Sequence, residues 1–95
     1  MEHKGRTALV TGATGGIGVA ESAALASTGA DVLMLDIKGE EVIDNIRQDL
    51  PSGSGKLRFV TCDLTNPQAA QDLVKGLDKE VGGIDILVNN AAINP

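Results

Sequence analysis

The stretch TGATGGIG, residues 11–18, decides how this chain folds. An apolar run from Thr7 to Val10 precedes it, and an alanine-rich segment with helical spacing, from Ile17 to Ala26, follows it. A strand, a glycine turn and a helix in this order carry the unpaired N–H groups of a helix N-terminus to the end of a strand, where they can hold an anion. The stretch therefore predicts a phosphate-binding loop.

The glycines of this loop have separate expected roles. Gly12 lets the chain turn sharply away from the strand, since glycine adopts backbone angles that other residues avoid. Gly16 lets a ligand approach the backbone with no Cβ in the way, and Gly18 lets the helix lie close to the sheet.

Short apolar runs alternate with helical patterns along the rest of the chain. Runs of this kind are typical of parallel strands that are buried on both faces. We predict four strands, at residues 6–11, 31–36, 56–62 and 84–89. Three helices are predicted between them, at residues 16–28, 39–50 and 67–81. This alternation indicates an α/β fold with a parallel sheet.

Local signals mark the ends of the first and third helices. Gly29 is placed to close the first helix, and Asn66 can cap the third, with Pro67 at its favoured first position. A face of small residues is expected to bring the first helix tight against the sheet: Ala20, Ala23 and Ala24.

Composition limits the class of protein. The 95 residues predict one domain, residues 1–95, with a core built from aliphatic side chains because Phe59 is the only aromatic residue. A net charge of −5 argues against a nucleic-acid or anionic-membrane partner, and no apolar run approaches the ~18 residues of a membrane span. One cysteine excludes an internal disulfide and fits a reducing compartment, so we expect a soluble, cytoplasmic protein.

Four motifs together resemble the short-chain dehydrogenase/reductase family. They are the loop at residues 11–18, Asp36 at the end of the second strand, CDLT at residues 62–65 and NNAA at residues 89–92. They occur in the family's order and at its spacing, and the resemblance extends from about Lys4 to Asn94. It implies a partial Rossmann-type sheet of four parallel strands in the order 3-2-1-4. The first two helices would lie on one face and the third on the other.

The resemblance implies a dinucleotide cofactor, with its pyrophosphate on the glycine loop. Asp36 would accept hydrogen bonds from the adenosine ribose and repel a 2′-phosphate. A cap or turn ahead of the second helix is the structural alternative for this residue. Family members that prefer NADP tend to carry a basic residue where this chain has Gly15 or Ile37, so NAD is expected rather than NADP.

The third and fourth strands end in further residues that the family uses. By resemblance, Asp63 would accept from the adenine amino group, with Leu64 beside the ring; the alternative is that Asp63 starts a turn. Asn90 and Ala91 would line the adenosine-side ribose, and Ala92 departs from the family's glycine. The expected cofactor-binding residues are Gly12, Thr14, Gly15, Gly16, Ile17, Gly18, Asp36, Asp63, Leu64, Asn90 and Ala91.

No catalytic residue is expected in these 95 residues. The family transfers hydride with the help of a Ser, a Tyr and a Lys beyond the fourth strand, and this chain contains no tyrosine. Two hypotheses follow: the cofactor-binding portion of an NAD-dependent alcohol/ketone oxidoreductase that is truncated here, or a stand-alone nucleotide-binding or subunit-interaction module. We also expect the fourth strand to be an unprotected edge, through which the chain self-associates or meets another subunit.

Overall fold

The computed structural model describes residues 2–90 and shows seven alternating strands and helices. The strands are β1 (Thr7–Thr11), β2 (Asp31–Asp36), β3 (Leu57–Thr61) and β4 (Ile86–Asn89). The helices are α1 (Gly16–Ser27), α2 (Val42–Asp49) and α3 (Pro67–Val81). None of the helices in this part of the chain has the length and apolar character needed to cross a bilayer.

All four strands form one parallel sheet in the order β3-β2-β1-β4, which confirms the predicted order. Thr11 at the end of β1 is level with Leu35 of β2 and with Asn89 of β4, and Asp36 is level with Thr61 of β3. The carboxyl ends of the four strands therefore meet along one edge of the sheet, where ligands bind in open α/β folds.

Two apolar clusters cover the two faces of the sheet. Buried residues of α1 and α2, such as Ala26, Ile43 and Ile46, share one cluster with Ala8, Val10, Val32, Met34 and Leu57 of the strands. On the other face, Ala70 and Leu77 of α3 pack with Leu9, Leu33 and Leu35. Side chains alternate between the two faces along each strand, and this alternation produces the division. The division confirms the predicted placement of the helices.

The face that α1 presents to the core differs from the predicted one. Ala20 and Ala24 are exposed, whereas Gly18, Ser22 and Ala26 are buried. These three residues are spaced by four, and Ala20 and Ala24 lie about 200° around the helix from Gly18 and Ser22, respectively, so the prediction was wrong for these two alanines. It holds for Ala23, which is partly buried and packs against the core.

Two elements, α2 and β4, begin two or more residues later than predicted, and the turns ahead of them give the reason. Gly39 has a φ of +103°, which a right-handed helix cannot include, so α2 starts at Val42. The backbone N–H of Ile84 donates to the Asp78 carboxylate at 2.7 Å, which places Ile84 in the turn after α3. The predicted cap of α3 is confirmed, since Oδ1 of Asn66 accepts from the Ala69 N–H at 3.2 Å.

Candidate functional site

The glycine loop joins the end of β1 to the start of α1. Gly12 has a φ of +60°, which supplies the sharp turn expected of it. Gly15 precedes α1 without a side-chain cap, and the first bond of the helix runs from the Val19 N–H to the Gly15 carbonyl at 2.9 Å. The N–H groups of residues 16–18 lie ahead of this bond and have no intrahelical acceptor. They give the loop an anion-binding end.

Gly16 and Gly18 meet different surroundings in the same turn. A Cβ placed on Gly16 would have no heavy atom within 4 Å outside its neighbours, so this side of the loop is open to a ligand. A Cβ on Gly18 would stand 2.4 Å from the Gly12 carbonyl oxygen and 2.7 Å from the Ala13 Cα. The close contact at Gly18 is therefore with the loop itself rather than with a strand.

Asp36, at the end of β2, is tied to the glycine loop. One carboxylate oxygen, Oδ2, accepts from the Thr14 hydroxyl at 2.7 Å and from the Thr14 N–H at 3.1 Å. The other, Oδ1, accepts from the Ile37 N–H at 2.8 Å. Burial raises the pKa of Asp36, but these hydrogen bonds outweigh it and hold the pKa below its usual value. The carboxylate is therefore fixed and charged at neutral pH.

The structure does not use Asp36 as a helix cap. Glu41 precedes α2, and no side chain caps that helix. Thr14 instead contacts two parts of the chain. Its hydroxyl donates to Asp36, and its methyl is 2.7 Å from the position that a Cβ on Gly39 would take. The loops after β1 and β2 are thus joined through one side chain.

A cavity of about 170 Å³ lies between the ends of β2 and β3. It brings together the predicted residues Asp36, Asp63 and Leu64, and it is also lined by Ile37, Cys62 and Thr65. Oδ1 of Asp63 accepts from the hydroxyl and the N–H of Thr65, at 2.6 and 2.9 Å, and these bonds lower the pKa of Asp63. Asp63 therefore starts a local turn, as in the structural alternative, and it also lines the cavity.

Asn89 and Asn90 bind β4 to β1. The Thr11 hydroxyl donates to Oδ1 of Asn89 at 2.9 Å and accepts from the Asn90 N–H at 3.1 Å. The Asn90 side-chain amide donates to the Thr11 carbonyl at 3.1 Å and to the Glu21 carboxylate at 2.7 Å. Asn90 thus reaches the strand edge beside the glycine loop, while the predicted Ala91 lies outside the described residues.

Three residues at this edge were not among the expected cofactor-binding residues: Ile37, Thr65 and Glu21. Ile37 leaves 57% of its surface exposed, beside the cavity that it lines. Both Ile37 and Thr65 follow the ends of strands closely, and that position could have identified them. Glu21 carried no such signal, because it lies inside α1 and its contact with Asn90 joins residues 69 positions apart.

A second, larger opening lies between α1 and α2, away from the glycine loop. It has a volume of about 520 Å³ and is lined mainly by apolar side chains, including Val19, Ala23, Val42, Ile46 and Leu50. Its walls offer few polar groups that could fix a ligand's orientation, in contrast to the edge at the ends of the strands. We therefore place the candidate site at that edge.

The family model for short chain dehydrogenases matches residues 6–95. Among curated proteins, the chain is 41% identical over 93 residues to 1-deoxy-11-beta-hydroxypentalenate dehydrogenase of Streptomyces avermitilis. The match covers 98% of this chain and 34% of that protein, so the chain spans about a third of the length of the curated relatives it matches.

Solved structures share the fold. A 3-oxoacyl-[acyl-carrier protein] reductase from Brucella melitensis in complex with NAD has a TM-score of 0.74 and 38% identity, over 90% of this chain and 33% of that one. A metagenomic short-chain oxidoreductase in complex with NADP has a TM-score of 0.81 and 32% identity, over 96% of this chain and 41% of that one. These two proteins hold different forms of the nicotinamide dinucleotide.

Proposed function

The chain belongs to the short-chain dehydrogenase/reductase family, and we propose that it is the NAD-binding portion of an oxidoreductase that acts on alcohol and ketone substrates by hydride transfer. The observation that carries this proposal is the meeting of the glycine loop, the fixed Asp36 carboxylate and the cavity beside Asp63 at one edge of the sheet. A bound nicotinamide supplies the hydride donor or acceptor. We take residues 1–95 as one dinucleotide-binding domain.

The geometry of the loop fits the pyrophosphate of such a cofactor. The backbone from Gly15 to Gly18 would hold its oxygens through the N–H groups of residues 16–18, because the Gly15 N–H already donates to the Gly12 carbonyl at 3.4 Å. Thr14 and Gly12 would shape the loop, and Ile17 would flank the ligand. The open space at Gly16 supports this arrangement, because any side chain there would occupy the approach to the backbone. The positive end of α1 adds a favourable field for the negative charge.

The adenosine would lie across the ends of β2 and β3. We propose that Asp36 accepts from its ribose, that Asp63 accepts from the adenine amino group, and that Leu64 packs beside the ring. Ile37 lines the same cavity and is a natural second apolar contact for the ring. Asn90, with Ala91 beyond the described residues, would line the ribose from β4.

We propose a preference for NAD over NADP. Asp36 carries a negative charge where the 2′-phosphate would lie, and the neighbouring positions, Gly15 and Ile37, carry no positive charge. Calorimetry with NAD, NADP and ADP-ribose tests this proposal. NAD and ADP-ribose should bind, and NADP should bind at least tenfold more weakly. Equal or tighter binding of NADP would refute the role given to Asp36.

The groups that move protons in the reaction are proposed to lie outside residues 1–95. The chain contains no tyrosine, and it spans about a third of its curated relatives. The alternative function is a stand-alone nucleotide-binding or interaction module without redox activity. The coding sequence downstream of Pro95 discriminates between them: an in-frame Ser and Tyr-x-x-x-Lys support the oxidoreductase, and a stop codon supports the module.

A protein partner is proposed for the β4 edge. Within residues 2–90, β4 pairs with β1 alone, and Leu87 in its middle leaves 62% of its surface exposed. An apolar edge strand of this kind pairs readily with another strand, so we propose self-association or contact with another subunit. Sedimentation over a dilution series should show concentration-dependent mass that Leu87→Lys lowers and Gln48→Lys, on an exposed position of α2, leaves unchanged. A monodisperse monomer at micromolar concentration would contradict the proposal.

We further propose a cytoplasmic location, in keeping with a single, buried cysteine that remains a free thiol. Cell fractionation with an antibody to the chain tests it. Recovery mainly in a membrane or secreted fraction would contradict this location.

A further inference from the structure

The side-chain amide of Asn90 is oriented by two acceptors that belong to different elements. Its Nδ2 donates to the Thr11 carbonyl at the end of β1, at 3.1 Å, and to the Glu21 carboxylate on α1, at 2.7 Å. A carbonyl and a carboxylate can only accept, so the amide nitrogen, and not the amide oxygen, must face them. The chain itself therefore dictates which way this amide points.

This orientation limits what Asn90 can offer a ligand. An amide nitrogen carries two protons, and the bonds to Thr11 and Glu21 use both of them. The polar atom that remains is Oδ1, on a residue that is exposed at the edge where the strands end. The Asn90 side chain can therefore give a ligand an acceptor but no donor.

Glu21 makes the shorter of the two contacts with this amide. A hydrogen bond to a charged acceptor is about twice as strong as one between neutral groups, and Glu21 is itself half-buried on α1, one turn beyond the glycine loop. The backbone N–H of Asn90 is bound separately, to the Thr11 hydroxyl at 3.1 Å. The main chain of Asn90 is thus held by β1, and its side chain is held mainly by α1.

We propose that Glu21 is a positioning residue, which holds the Asn90 amide so that an acceptor faces the dinucleotide and thereby fixes which part of the ligand lies beside β4. Glu21 acts through Asn90 and does not touch the ligand. This inference rests on the proposed binding of a dinucleotide at this edge, with a ribose beside Asn90.

The edge then presents donors and acceptors in separate places. The free N–H groups of residues 16–18 attract phosphate oxygens, whereas Oδ1 of Asn90 accepts from a ribose hydroxyl and repels a phosphate oxygen, which is also an acceptor. A dinucleotide shifted along the edge would set acceptor against acceptor. The amide orientation that Glu21 maintains therefore helps to fix the register of the ligand.

Calorimetry with NAD on wild type, Glu21→Ala and Glu21→Gln tests the proposal. Both variants remove the same charge, but glutamine keeps an oxygen that can accept from Asn90. Glu21→Ala should therefore bind NAD about fivefold more weakly than Glu21→Gln, the loss expected for one misplaced hydrogen bond.

Two NAD analogues, one without the 2′-hydroxyl and one without the 3′-hydroxyl of the adenosine ribose, identify the contact that is lost. The difference between Glu21→Ala and Glu21→Gln should vanish with one analogue and remain with the other. A merely structural effect of Glu21 would weaken the binding of all three ligands alike.

Exchanging the donor and the acceptor gives an independent test. Asn90→Asp places an oxygen against the Glu21 carboxylate, so it should weaken NAD binding about tenfold. In the Glu21→Gln background the glutamine amide can donate to the new carboxylate, and the same substitution should cost at least about threefold less. This cycle needs no alanine variant, so it decides the matter if Glu21→Ala fails to fold, and thermal melting checks each chain.

The outcomes separate this inference from the proposed function. Wild type that does not bind NAD refutes the proposed function, and the role of Glu21 with it. If wild type binds NAD, equal affinities of Glu21→Ala and Glu21→Gln refute the role of Glu21 alone, and so does a difference between them that persists with both analogues. An equal cost of Asn90→Asp in the two backgrounds refutes it as well, because the two side chains would then be uncoupled.

Discussion

Gly12 and Gly18 touch so closely that no side chain fits between them. A Cβ on Gly18 would stand 2.4 Å from the Gly12 carbonyl oxygen, and the atoms in the way belong to the backbone of residues 12 and 13. The start of α1 is therefore packed directly on the turn that leaves β1. This contact fixes where the first N–H groups of the helix lie relative to the strand.

We expect Gly18→Ala to lower the free energy of unfolding by about 3 kcal/mol, because backbone must shift to admit one methyl group. Gly16→Ala is the matched control, since its Cβ would meet nothing within 4 Å and should change stability by less than about 0.5 kcal/mol. Urea denaturation of both variants gives the measurement. Equal stability of the two variants would show that the loop yields more easily than this contact implies.

Gly76 lies inside α3 with open space where a Cβ would be. Gly76→Ala should raise the free energy of unfolding by about 1 kcal/mol, because alanine restricts the unfolded chain and favours the helix. Gly82→Ala is the control with equally open space but a φ of +79° at the end of α3, and it should be destabilising by a similar amount. A stabilising effect at both positions would contradict this account of α3.

The sequence was sufficient to predict the fold because the pattern of apolar runs and the strand order of the family agree. Apolar runs with glycine turns between them predicted all four strands, and the family resemblance predicted their order, which the structure confirms. Helix faces were harder to predict. Ala20 and Ala24 look like packing residues, but the contact of Gly18 with the loop sets the rotation of α1 and turns both outward.

The site was predictable where a residue follows directly from a strand end. Asp36, Asp63 and Leu64 were expected near one another, and they line one cavity. The Thr14 to Asp36 bonds were not foreseen, because they join residues 22 positions apart through two loops whose shapes no local pattern gives. The Glu21 to Asn90 contact spans 69 positions and depends in the same way on packing between elements.

The Ser22 hydroxyl is buried on the face of α1 that packs against the sheet. Its Oγ has no hydrogen-bond partner among the described residues. Ser22→Ala should raise the free energy of unfolding by about 1 kcal/mol, because it removes an unsatisfied polar group and improves helix propensity. Ser27→Ala, which loses a bond to the Ala24 carbonyl near the helix end, is the control and should not stabilise. Loss of stability in Ser22→Ala would mean that an ordered water satisfies the hydroxyl.

Asp36 should make the stability of the chain depend on pH in acid. Burial raises the pKa of this carboxyl, but the hydrogen bonds from Thr14 and Ile37 lower it by more than burial raises it. The folded pKa therefore lies below the unfolded value of about 3.9. The charged form therefore stabilises the fold at higher pH, and this contribution is lost as the pH falls through the folded pKa. Asp36→Asn should cost about 1 kcal/mol at pH 6, and the difference from wild type should close towards pH 2.

Asp63→Asn is the matched control for this pH dependence. The pKa of Asp63 is also lowered, but both of its hydrogen bonds come from Thr65, two residues along, whereas Asp36 joins the loops after β1 and β2. Removing the charge of Asp63 should therefore change the unfolding free energy less than Asp36→Asn at every pH, because its bonds can form within one turn of an otherwise unfolded chain. Urea midpoints for the three chains between pH 2 and pH 6 decide the matter. A gap between wild type and Asp36→Asn that stays constant down to pH 2 would show that the ionised carboxylate does not hold the two loops together.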